Sequence, residues 1–165
     1  MLRFKHSTLV CIAGGLWMIM GIFLMNMGLR FIAEKSVVVG FTDETSLLKT
    51  LSNIFGGLQQ AAVALIGLGL MIGYMKGRFV LAKTVAKMVA RLKSFEEPVS
   101  LYRLYSPKFY LLILIMISMG VLFRIFEVPT DIRGLIDLAV GAALVNGAVL
   151  YFKYAKVVKS KQSVG

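Results

Sequence analysis

From Leu9 to Leu29 the chain runs for 21 residues without a charged side chain. A helix rises about 1.5 Å per residue, so such a run spans about 30 Å, the thickness of a bilayer's hydrocarbon core. In water a segment that is apolar all round must be wrapped on every side. With 58% hydrophobic and only 16% charged residues among 165, this chain has too little polar surface to do so.

Three further stretches have the same character. Ile54 to Met75 carries no charge in 22 residues. Phe109 to Phe123 extends to Phe126 if Arg124 lifts its guanidinium to the headgroups while its stem stays in the apolar layer. Ile132 to Phe152 alone holds an acid within the span, Asp137. The expected fold is an all-α membrane protein with four transmembrane helices at about 9–29, 54–75, 109–126 and 132–152, arranged as two antiparallel hairpins. Arg3 and Lys5 before the first run match the start of a signal peptide, but the run is too long for one. No small-residue cleavage site follows it, so a retained helix is expected.

The net charge of +11 and pI near 10.0 would suggest nucleic acid in a soluble chain. Its distribution points elsewhere. The N-terminal tail, the second connection and the tail at 153–165 carry 14 bases and two acids, Glu96 and Glu97. The first and third connections with their helix edges carry five bases and six acids. Since Lys and Arg are retained in the cytoplasm, both termini are expected there and the membrane is expected to be the plasma (inner) membrane, with no nucleic-acid partner.

The second connection, 77–100, contains a basic amphipathic helix. Lys83, Lys87 and Arg91 recur every four residues, and Val85, Met88, Val89 and Leu92 mark another face. Such a helix lies on the cytoplasmic surface or projects from it, with anionic lipid as its expected contact. Tyr102, Tyr105, Phe109 and Tyr110 follow as an interfacial aromatic belt. In the first connection the run Val37 to Val39 and the turn at Thr42 to Thr45 read as a surface loop leading into a short helix from Glu44. In the third, Pro129 ends an extended stretch, and Thr130 or Asp131 is placed to cap the fourth helix.

Helices in lipid associate by close packing, which favours small residues at their interfaces. Gly14, Gly21 and Gly28 repeat every seven residues in the first span, Gly69 and Gly73 form a small pair in the second, and Gly134, Gly141 and Ala148 make a seven-residue stripe in the fourth. Periodicity leaves open whether these faces meet within one chain or between chains. Laying the second span on the fourth at an offset of 77 aligns Gly57 with Gly134, Ala62 with Ala139 and Tyr74 with Tyr151, the pattern of a parallel two-helix repeat.

Within the spans the polar candidates for a functional site are Asp137, Gln60, Gln59, Asn146, Arg124 and Arg133. Asp137 lies one helical turn past Arg133, so a structural ion pair is its first reading and a proton or cation site its second. Arg124 competes as a partner. Asn146 and Asn26 read as interhelical hydrogen bonds, and one of Gln59 and Gln60 is expected to face a cavity or another subunit. His6 and Cys11 are single, the ten Met residues read as adaptable packing, and neither a metal site nor a cofactor nor a catalytic constellation is expected. The expected function is a non-enzymatic accessory or assembly subunit of a membrane complex, with a membrane-protein partner or a second copy of itself. The alternative is a small oligomeric transporter or channel that uses Asp137 and Gln60.

Overall fold

The computed structural model describes residues 3–4, 6–38, 46–93, 99–100, 114, 117–118 and 120–162. Helix α1 covers His6–Val38, α2 Leu47–Phe55, α3 Leu58–Lys76, α4 Ala82–Lys93 and α5 Thr130–Gln162. Three helices are long and apolar enough to cross a membrane, over Val10–Val37, Leu58–Phe79 and Thr130–Lys156. Much of their surface is bare, as lipid-facing helices require. Ile19, Phe23, Val63 and Met71 are more than half exposed.

Helix boundaries differ from the sequence expectation at several points, among them the end of α5, which runs to Gln162 where Phe152 was expected. Helix α1 runs nine residues beyond Leu29, so Val37 and Val38 are helical and not part of a loop. Branched residues disfavour helix only slightly, and no Gly or Pro lies between Leu29 and Gly40. The second expected span starts too early. Ile54 and Phe55 close α2, and Gly56 takes the left-handed conformation at φ 79°, donating its N–H to the Ser52 carbonyl. Only glycine adopts that geometry without steric cost, so α2 stops there and α3 begins at Leu58.

At its other end α3 does not stop. A π-helical turn at Gly77–Leu81 joins it to α4, with Lys76, Gly77 and Ala82 all in right-handed helical conformation. The expected basic helix is thus the extension of a span. Val85 is buried, and α4 touches both α1 and α5. The third expected span, 109–126, lies largely outside the described residues, as does the aromatic belt, although 120–125 are helical.

The principal packing is of α1 along α5, and the glycine stripes make it. A Cβ on Gly28 would lie 2.6 Å from the Gly134 carbonyl oxygen, one on Gly21 2.9 Å from that of Gly141, and one on Gly14 3.5 Å from that of Ala148. Descending α1 by seven residues therefore ascends α5 by seven. The two are antiparallel, in backbone contact over two heptads, and both stripes are buried within one chain. At the Gly14 end Trp17 meets Tyr151 edge to face, with ring centroids 5.5 Å apart.

Helix α3 packs on another side of α5 through a second glycine row. Gly69 faces Leu135 and Leu138, Gly73 faces Ala139 and Ala142, and Gly77 faces Ala143 and Asn146. Here both residue numbers rise together, so α3 runs parallel to α5. Ile32, Leu48, Ala61, Ala62, Leu65 and Leu138 form the core where α1, α2, α3 and α5 converge. A short antiparallel pairing sets Arg3 opposite Ser100 and Phe4 opposite Val99, tying the N-terminal tail to the chain beyond α4.

Candidate functional site

Polar groups gather where α2, the start of α5 and the last turns of α1 meet. The deepest is Asp131, fully buried. Its expected role was to cap its own helix, and the structure corrects this. Asp131 Oδ2 accepts a hydrogen bond of 3.0 Å from the Ser46 hydroxyl and another of 3.0 Å from the Leu48 backbone N–H. Asp131 therefore caps α2, a helix 83 residues away in sequence. The N-cap residue Ser46 turns its hydroxyl outward to the carboxylate, while its carbonyl accepts the first backbone bond from Thr50. A carboxylate at a helix N-terminus meets both free N–H donors and the positive end of the helix dipole. Among the described residues Asp131 Oδ1 has no hydrogen-bond partner.

One and a half turns further along α5, Asp137 faces Arg133. Arg133 Nε lies 4.0 Å from Asp137 Oδ2, with 27% and 21% of the two side chains exposed. At that distance the contact is an ion pair and not a hydrogen bond. The Arg133 guanidinium also stands over the Phe31 ring of α1, 5.0 Å from its centroid. Arg133 is thus the partner of Asp137, and it joins α5 to α1.

Arg124 instead lines a cleft of about 290 Å³ together with Glu127, Thr130 and Arg133. The helical residues before it end in a left-handed turn at Glu127, φ 48°, closed by a 3.0 Å bond from the Val128 N–H to the Phe123 carbonyl. That six-to-one bond is the Schellman way of ending a helix.

The other candidates lie apart. Asn146 donates to the Ala142 carbonyl of its own helix at 2.9 Å, so its described bond is local where an interhelical one was expected. Asn26, Gln59 and Gln60 are exposed. Gln60 folds its Oε1 back against Gly57, the N-cap of α3, in the position of a capping-box glutamine. The register between α3 and α5 puts Gln60 level with the turn before α5. Asp137 sits about nine residues deeper, about 14 Å along the axis. At the opposite end of the bundle Lys83 and Lys87 are exposed on α4, and the Arg91 side chain lies outside the described residues. No three His, Cys, Asp or Glu side chains gather closely enough to hold a metal among the described residues.

Neither a known protein family, nor a curated protein, nor a solved structure matches the chain. Sequence reasoning named Asp137 and Arg133 from their spacing but missed the pairing of Asp131 with Ser46 and Leu48. Ser46 before an apolar run was a visible cap signal.

Proposed function

We propose that the chain is a four-span membrane protein with both termini in the cytoplasm, serving as a non-enzymatic accessory or assembly subunit of a membrane complex. The observation that carries the four-span reading is the parallel course of α3 and α5. Two membrane-crossing helices that run the same way need an odd number of crossings between them. On this reading the chain from 94 to 129 returns through the bilayer, and 109–126 is the apolar stretch long enough to do it. The charges agree with this course. Lys153 and Lys156 fall at the end of the bundle that holds the start of α1, with Lys76 and Arg78 in the half toward it, while Glu34, Glu127 and Asp131 fall at the other end beside Arg30 and Arg133.

The accessory role is supported by how the polar and small residues are used. The glycine rows are filled within the chain, and Asp137 pairs with its own helix neighbour. Gln60 and Asp137 lie at different depths, which leaves the transport alternative without a shared polar path. On this reading Asp137→Asn lowers stability only slightly, by about 1 kcal/mol or less for a partly exposed pair at the limit of ion-pair distance, and removes no flux from liposomes loaded with a proton- or cation-sensitive dye. A flux that wild type carries and Asp137→Asn abolishes would establish the transport reading instead. Native mass spectrometry from gently extracted membranes should release the chain with a distinct membrane protein. Release as a bare monomer would overturn the accessory role.

A further inference from the structure

The cleft at the head of α5 is built differently from the rest of the bundle. Two guanidinium groups, Arg124 and Arg133, and one carboxylate, Glu127, line about 290 Å³ where the apolar span begins at Thr130. That volume is at the small end for a ligand pocket, the scale of a headgroup and not of a large solute. Arg133 is fixed from two sides, by the Phe31 ring and by Asp137. Glu127 occupies a left-handed position that glycine or asparagine would fill at lower cost, and backbone outliers of this kind cluster at binding sites. Leu122, Ile125 and Phe126, in the same stretch of chain, are at least half exposed.

We propose that this cleft binds a phosphodiester bearing a primary amine, that is, a phosphoethanolamine group. Guanidinium forks match phosphate oxygens, so Arg124 and Arg133 hold the phosphate. Glu127 holds the ammonium. Asp137 offsets the charge of Arg133, so Arg124 and Glu127 present one positive and one negative charge to the one negative and one positive charge of the ligand, a fit that phosphate alone or a simple amine does not give. The same group occurs on phosphatidylethanolamine in the leaflet at that end and on soluble glycerophosphoethanolamine. Because the lipid source rests on the membrane-spanning reading, the test treats the two sources separately.

The protein is purified into nanodiscs of phosphatidylcholine with an equal part of phosphatidylethanolamine, released into the gas phase, and its retained lipid counted. Wild type should keep phosphatidylethanolamine in preference to phosphatidylcholine. Arg124→Gln should reduce its retention about tenfold, and Glu127→Gln should leave both lipids equally held because only the ammonium contact is lost. In a second arm, glycerophosphoethanolamine is titrated into the protein in pure phosphatidylcholine discs. Binding there that Arg124→Gln weakens, without lipid preference in the first arm, assigns the site to the soluble compound. Both positions are exposed, and an unchanged unfolding midpoint verifies the variants' fold. For any variant that fails this check, Arg124→Lys, which keeps the charge and loses the fork, takes its place and should show partial retention. Equal retention of the two lipids by wild type together with no binding of the soluble compound would overturn the proposal, as would retention indifferent to both substitutions. Failure to enter nanodiscs at all would instead contradict the membrane-spanning reading.

Discussion

Asp131→Ala is expected to destabilise the bundle by about 2–4 kcal/mol, the largest effect of any single polar substitution in the described residues. The carboxylate is fully buried and accepts from two donors, the Ser46 hydroxyl and the Leu48 N–H. Truncation leaves both donors buried without an acceptor, and each such loss costs about 1–3 kcal/mol. The N-terminus of α2 also loses its cap, worth about 1 kcal/mol in typical helices. Asp131→Asn keeps one oxygen in place without the charge, so it should cost less than Asp131→Ala. Ser46→Ala removes one donor along with its need for a partner and should cost least. Thermal unfolding in mild detergent, followed by helical circular dichroism, checks the order. An Asp131→Ala protein as stable as wild type would show that the contact does not hold α2 to α5.

Gly28→Val should be comparably damaging for a different reason. Even an added Cβ would lie 2.6 Å from both the Gly134 carbonyl oxygen and the Leu138 nitrogen. Both obstacles are backbone atoms, which cannot rotate away, so the axes of α1 and α5 must separate. Overpacking of this kind costs about 1–3 kcal/mol, and separation along the zipper also removes dispersion contacts at Gly21 and Gly14. The single tryptophan reports the event, because Trp17 packs on Tyr151 at the far end of the same seam. Its emission should shift and its unfolding midpoint fall in Gly28→Val. Gly15→Ala is the control. Nothing lies within 4 Å of a Cβ there, and alanine favours helix over glycine by about 1 kcal/mol, so that variant should be as stable as wild type or more so. Equal loss in both variants would mean that helix propensity and lipid contact, not the α1–α5 seam, control stability.

The contrast between these two sites shows what the sequence made legible. Gly14, Gly21, Gly28 and Gly134, Gly141, Ala148 announced packing faces because helical spacing is periodic, and periodicity survives in a one-dimensional string. That the two faces meet each other was not readable, since the spacing is equally compatible with contacts between chains. The pairing of Asp131 with Ser46 was hidden for the same reason in stronger form. Asp131 opens a helix after Pro129, which matches a local cap, and the acceptor's true partners lie more than 80 residues away. The ion pair of Asp137 with Arg133 was legible because its spacing of four residues is itself a helical contact.

Boundaries followed the same logic. The end of α2 at Gly56 depends on a left-handed residue inside what read as one uninterrupted apolar run, and hydropathy carries no information about φ. The continuation of α3 through Gly77 into α4 was masked by the change from apolar to basic composition, which marks the edge of the membrane and not of the helix. Charge, by contrast, was informative at long range. The excess of Lys and Arg leads to an expected side for each connection, and the antiparallel α1–α5 seam brings the start of α1 and the basic end of α5 to one end of the bundle.

On the proposed topology the chain between α4 and α5 crosses the membrane, so that Lys87 and Glu127 lie on opposite sides. In a background of Cys11→Ser, single cysteines are introduced as Asp43→Cys, Lys87→Cys and Glu127→Cys, and intact cells are treated with a membrane-impermeant maleimide. Labelling is expected at positions 43 and 127 and none at 87 until the cells are opened. Labelling of 87 and 127 from the same side would contradict it.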